Sequence, residues 1–249
     1  MKYSRIKFYK DKVAVNLLAK DLDNAVEVTN IMDGCCLVGV LSKDFPTVEA
    51  CAEKVKEYLT KLTNVSVGMG GGDPKQAMMA ARVAALTNPG HVNQTFTGAL
   101  YTEGLLTASK CFDTITNCMI YPTGTPGKVQ ISTGAVSDSH KEGIVDVETA
   151  VCMMKDADLP SVKFFNMHGT KYLADLKAMA EACAKFGISM IEPTGGLDTE
   201  NFAEIVKVCL DAGVERVMPH VYSSIVDKET GLTRPDLAEK LYNTLKALV

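Results

Sequence analysis

The sequence predicts one α/β domain, a single-domain (β/α)8 TIM barrel spanning residues 1–249. Eight short apolar runs alternate with longer segments of helical period, the rhythm of parallel strands joined by crossover helices. The length of 249 residues suits eight such units in one domain. No linker, low-complexity tract or longer repeat divides the chain. An open doubly wound sheet shares this rhythm, and the strand count and length favour the closed barrel.

Taken in order, the strands are expected at VAVNLLA (13–19), CCLVGVL (35–41), NVSVGMG (64–70), HVNQTF (91–96), NCMIYP (117–122), VKFFNM (162–167), ISMIEP (188–193) and VERVMPH (214–220). Their β-branched and apolar content suits buried parallel strands. Helical spacing marks 47–62, 75–86, 147–157, 171–187, 201–213 and a final helix at 235–248. Pro46-Thr47, Asp146 and Asp198 are expected to start helices, Gly187 and Gly213 to end them, and Pro235 lies in a first turn. Residues 123–145 interrupt the alternation. They read as an elaborated loop after the fifth strand, in which PTGTPG is a turn and VQIST (129–133) an additional strand.

Composition narrows the function. The chain is 47% hydrophobic and 22% charged, with net charge −4 and no Lys/Arg block, so no nucleic-acid or anionic-membrane partner is expected. VAVNLLA is too short to span a membrane and resembles no signal peptide, which points to the cytoplasm. Eight cysteines occur without any C-x-x-C, and several sit in helical or apolar patterns. They read as buried thiols of a reducing compartment, and neither a metal nor another cofactor is expected.

In a barrel the chemistry belongs to the loops that follow the strands. Polar and glycine-rich residues gather there: GMGGGDP (68–74), HVNQ (91–94), PTG (122–124), NMHG (166–169), EPTGGLD (192–198) and PHVYSS (219–224). Thr194-Gly195-Gly196 before a capped helix suits a phosphate, because glycine lets the backbone amides approach an anion. Gly71 and Gly72 are a second anion nest or a tight turn. Lys163 lies in an apolar run, either snorkelling to solvent or kept partly neutral by burial as a nucleophile for a ketone.

Other candidates are local. Glu192 shares a face with Thr194 by period two, as an acid/base or as a structural partner of Lys163. His91, His168 and His220 fall at strand ends, for binding, proton transfer or plain hydrogen bonding. Asp73 and Asp198 read as turn and cap residues, and Lys43 is the rival amine. Arg234 and Thr123 are candidate contacts for a phosphate or carboxylate, whereas Arg82 and Arg216 look structural.

VKFFNM together with EPTGG resembles the Lys-Phe-Phe-Pro and Pro-Thr-Gly-Gly motifs of 2-keto-3-deoxy-6-phosphogluconate (KDGP) aldolases. The likeness is closest to a bacterial branch of these class I pyruvate aldolases, in which GGGDP, HVNQ and PHVYSSI are also familiar. It implies that Lys163 forms a Schiff base and that Thr194, Gly195 and Gly196 bind substrate phosphate. It also implies a homo-oligomer and a phosphorylated sugar-acid substrate, cleaved to pyruvate and glyceraldehyde 3-phosphate. Two positions depart from the pattern. Asn166 replaces the proline, and the second strand ends in VLSK, without the glutamate acid/base of the better-known aldolases. Rival readings are a pyruvate aldolase for another 2-keto acid such as 4-hydroxy-2-oxoglutarate, a barrel sugar-phosphate isomerase or epimerase, and a noncatalytic sugar-phosphate binder.

Overall fold

The apolar runs become the staves of a parallel barrel in the computed structural model, which describes residues 3–249. In order they are β1 (Val15–Leu18), β2 (Cys36–Leu41), β3 (Val65–Gly68), β4 (Gly90–Val92), β5 (Ile115–Pro122), β8 (Ser161–Phe164), β9 (Met190–Pro193) and β10 (Arg216–Val217). Each pairs in parallel with the next. Parallel bridges Val13↔Val217 and Asn16↔His220 join the last stave to the first and close the barrel. At this seam the Asn16 N–H donates to Pro219 O (3.0 Å) and the Val221 N–H to Asn16 O (2.9 Å).

Nine helices are described: α1 (Leu22–Ile31), α2 (Val48–Leu59), α3 (Ala77–Thr87), α4 (Phe96–Ala108), α5 (Ala135–Asp138), α6 (Val147–Asp156), α7 (Leu173–Phe186), α8 (Phe202–Asp211) and α9 (Pro235–Leu248). The Thr47 hydroxyl caps α2 by accepting from the Ala50 N–H, and Gly187 ends α7 with φ +74°. Two expected caps differ. The Asp146 carboxylate pairs with Lys128 at 2.6 Å instead of capping α6. Asp198 accepts from the Glu200 and Asn201 N–H groups, both at 2.9 Å, so it organises a turn one step ahead of α8.

Residues 91–96 do not form the expected strand throughout. β4 stops at Val92, and the Thr95 hydroxyl accepts from the Gly98 N–H to start α4. The segment after β5 holds β6 (Lys128–Ile131), α5 and β7 (Gly143–Asp146). β6 runs antiparallel to both β5 and β7, extending the wall on one side of the barrel mouth. All eight cysteines are free, and only Cys152 is not buried.

Two apolar cores result. One fills the space between sheet and helices, with Val38, Val67, Ile120, Val162 and Phe164 facing outward from the staves. The other, Ala14, Leu37, Ile115, Met190 and Met218 with Ile6 and Phe8, forms the lower layer within the barrel. Above that floor the interior turns polar.

Candidate active site

Strand parity puts the polar residues inside. A side chain two residues above the apolar floor also points inward. Asn16 lies above Ala14 on β1, Asn117 above Ile115 on β5, Glu192 above Met190 on β9, and His220 above Met218 after β10. Ser66, His91, Asn93, Ser161 and Lys163 join them, and all nine are buried. Burying polar groups is costly unless each finds a partner, and here the partners form one network.

Glu192 is its centre. Oε1 accepts from the Ser161 hydroxyl (2.5 Å) and from His91 Nε2 (3.1 Å), and Oε2 accepts from Asn117 Nδ2 (2.8 Å) and from His220 Nε2 (2.8 Å). Burial opposes the charge of this carboxyl, but the two histidines beside it hold it well below the usual carboxylate range. With four donors and 0% exposure it is an ionised, saturated acceptor. Each histidine donates through Nε2, which leaves its Nδ1 as the acceptor. At His91 that lone pair meets the Ser66 hydroxyl at 2.8 Å, and Ser66 accepts from Asn16 Nδ2 (2.9 Å) and Asn93 Nδ2 (3.2 Å). At His220 it faces Lys163 Nζ at 3.3 Å and the Tyr222 hydroxyl at 2.9 Å.

Lys163 sits above this layer, 8% exposed, with Nζ donating to Asn93 Oδ1 at 2.8 Å. Burial lowers its pKa to about 8, and the charge of Glu192 only partly opposes that fall. It opens on a cavity of about 350 Å3 at the barrel mouth, whose wall includes Gly71, Gly72, Thr194, Gly195, Gly196, Asp198, His220, Tyr222, Ser223 and Ser224. The turns 166–169 and 194–196 zip together along one side. The Met167 N–H donates to Thr194 O (2.9 Å) and the Gly169 N–H to Gly195 O (3.0 Å).

The structure therefore gathers Lys163, Thr194, Gly195, Gly196, Gly71, Gly72 and His220 around one cavity. Glu192 and His91 are corrected from the cavity wall to the layer beneath it, because period two fixes the face of a strand residue but not its depth. Thr123 and Arg234 also do not line the cavity. The Thr123 hydroxyl donates to Lys128 O (2.9 Å) within its turn, and exposed Arg234 pairs with Asp236 at 2.6 Å. His168 is exposed at φ +49°, Lys43 is exposed outside the cavity, and the Asp73 carboxylate accepts from the Lys75 N–H in a turn. The sequence reading missed Asn16, Ser66, Asn117 and Ser161, and held Asn93 and Tyr222 only within the HVNQ and PHVYSS stretches. For Asn16 and Ser66 the signal was a lone polar residue at inward parity inside an apolar run.

A closed barrel with a buried amine and a glycine-lined mouth at the carboxyl ends of its strands has the layout of a barrel enzyme of small-molecule metabolism. A model of the KDGP aldolase family matches residues 9–229. A protein of Salmonella typhimurium (strain 14028s / SGSC 2262) named 2-dehydro-3-deoxy-phosphogluconate aldolase is 47% identical over 98% of this chain and 99% of its own. The chain belongs to the KDGP aldolase family. Solved structures agree on the fold alone. KGPDC from Streptococcus mutans, in complex with D-R5P, aligns with TM-score 0.59 and 11% identity over 94% of this chain and 99% of that one. N-(5'-phosphoribosyl)anthranilate isomerase from Pyrococcus furiosus aligns with TM-score 0.55 and 16% identity, again over 94% and 99%.

Proposed function

We propose that this chain is a lyase, a class I aldolase that cleaves 2-keto-3-deoxy-6-phosphogluconate to pyruvate and glyceraldehyde 3-phosphate. The observation that carries the reading is Lys163, a buried amine with a pKa near 8 opening on the cavity. Near pH 7 roughly a tenth of such an amine is neutral, against well under 1% at an unperturbed pKa. The neutral amine adds to the C2 ketone and loses water as an iminium forms. The iminium then draws in the electrons of the C3–C4 bond, so no metal is required. The amides of Gly195 and Gly196 on one side and of Ser223 and Ser224 on the other offer donors for the phosphate, and Thr194 shapes the wall between, its N–H donating to Phe164 O (2.9 Å) and its hydroxyl to Glu192 O (3.1 Å). His91 fixes Glu192 from below. Thr123 and Arg234 have no part in this scheme.

The family membership and the named Salmonella relative support the substrate. The reading includes a cytoplasmic homo-oligomer. Seven buried, unpaired cysteines suit a reducing compartment, and exposed Met78, Leu100 and Tyr101 on α3 and α4 suit a subunit contact. Among the described residues no helix is long and apolar enough to cross a membrane.

Reductive trapping tests the proposal. Borohydride with pyruvate should add one pyruvate-derived group at Lys163 and abolish activity, Lys163→Arg should lose cleavage by several orders of magnitude, and chelation should leave the wild type active. Labelling at Lys43 would relocate the nucleophile. No labelling anywhere would overturn the Schiff-base reading, and faster turnover of an unphosphorylated 2-keto acid would replace the substrate.

A further inference from the structure

Resting on that reading, we propose that His220 is the catalytic residue that moves the proton during cleavage, and that Glu192 is its positioning residue. The aldol step needs a base at the C4 hydroxyl and an acid at C3. Glu192 cannot reach either, since it lies off the cavity wall with both oxygens occupied by four donors. His91 is equally shut in, its Nδ1 engaged by Ser66. His220 lines the cavity, and the Glu192 bond holds its proton on Nε2, so the Nδ1 lone pair faces the space above Lys163. Tyr222 completes the arrangement. Its hydroxyl donates to Nδ1 at 2.9 Å, and Asn16 Oδ1 stands 3.2 Å away as an alternative acceptor. By turning to Asn16 the phenol frees Nδ1 for the substrate.

The charges around His220 match this cycle. The groups facing it are Lys163 from β8, Glu192 from β9, His91 from β4, with ring centres 6.2 Å apart, and Tyr222 from the loop beyond β10. Burial, and next the charge on Lys163, keep His220 neutral, with a pKa of about 3. In cleavage the C4 hydroxyl proton passes to Nδ1, O4 becomes the aldehyde oxygen and the C3–C4 bond breaks. The bond's electron pair forms the C2–C3 double bond of the enamine, and the former C=N π electrons settle on the Lys163 nitrogen. The positive charge leaves that nitrogen as His220 gains one, so the site's net charge is conserved and the chief charge opposing His220 protonation disappears. The same proton then passes from Nδ1 to C3, giving the pyruvate iminium and neutral His220, and water releases pyruvate.

Three readouts on one set of proteins test the assignment: borohydride trapping of pyruvate, exchange of the pyruvate methyl hydrogens with D2O, and cleavage. In His220→Gln the amide keeps a donor for Glu192 but presents no basic nitrogen. It should still trap pyruvate at Lys163, while methyl exchange and cleavage both fall by about a hundredfold or more. His220→Asn, read in the same way, covers failure of the first variant to fold. Tyr222→Phe, which removes the phenol that orients and releases Nδ1 but keeps the imidazole, should slow exchange by about tenfold, well short of the loss in either His220 variant. Near-normal exchange in a folded His220 variant would overturn the proposal while leaving the aldolase reading intact. Lost exchange in Tyr222→Phe alone would make the phenol the acceptor, with the same consequence. Failure of the wild type to trap pyruvate would instead remove the Schiff-base reading beneath it.

Discussion

Lys163 shows at the scale of one residue how reactivity is set against stability. Its folded pKa is about 8 and its unfolded value about 10.4. Between those values the unfolded chain holds the proton more tightly, so stability rises with pH across that window and the full cost is felt below pH 8. That cost is on the order of 3 kcal/mol. Lys163→Met, which fills the same space without charge, should therefore stabilise the fold at pH 7 by about 1–3 kcal/mol, with the gain shrinking toward pH 10. Urea unfolding at the two pH values checks it, and a destabilised variant would mean that Glu192 depends on the amine despite its four donors. Lys163 was legible in the sequence because a charge inside an apolar run has few explanations. Glu192 was legible only as inward-facing. Its saturation depends on Asn117, Ser161, His91 and His220 converging from four staves, and no local spacing carries that.

At the scale of elements, the glycines of the mouth separate into two kinds. Gly196 has φ +71°, and a Cβ there would lie 2.5 Å from Gly169 N, on the seam between the 166–169 and 194–196 turns. A Cβ at Gly195 would collide with Asn166 Oδ1, so its lack of a side chain serves the same packing, and substitution there would not isolate phosphate binding. Gly71 has φ +64° with nothing within 4 Å of a built Cβ. Gly71→Ala should thus cost only backbone strain, about 1 kcal/mol, while Gly196→Ala should cost about 2–4 kcal/mol because the backbone must move. Denaturant midpoints compare them, and equal costs would contradict the packing argument. The alternation of strands and helices was readable except at α1 and α4. α4 has no apolar stripe, with Leu100 and Tyr101 exposed while Ala99 and Leu106 are buried, and the inward face of α1 is partly polar, burying Asn24 beside Ala25 and Val28. The extra strand at VQIST was readable, but its antiparallel pairing with β5 and β7 is a long-range fact.

For the whole molecule, the barrel assigns opposite jobs to its two ends. The lower layer is apolar, and the chain before β1 brings Ile6 and Phe8 against Ala14, Leu37, Ile115, Met190 and Met218. The Phe8 ring stands edge-on to Tyr3 at 5.9 Å, and the Arg216 guanidinium lies 4.5 Å from the Tyr3 ring centre and 5.6 Å from that of Phe8. None of these residues lines the cavity at the mouth, so their side chains bear first on stability and on the site only through the polar layer between. It also keeps bulk water from reaching the buried Glu192 network from below, which preserves the low dielectric that holds Lys163 near pKa 8. Phe8→Ala should lower stability by about 3 kcal/mol and leave pyruvate trapping at Lys163 unchanged at 25 °C. Phe8→Leu, which retains most of the apolar volume, should recover more than half of the loss. If Phe8→Ala instead slows trapping and shifts its pH profile upward while the protein stays folded, water has entered the floor, and the two ends of the barrel are coupled through the polar layer rather than insulated by the apolar one.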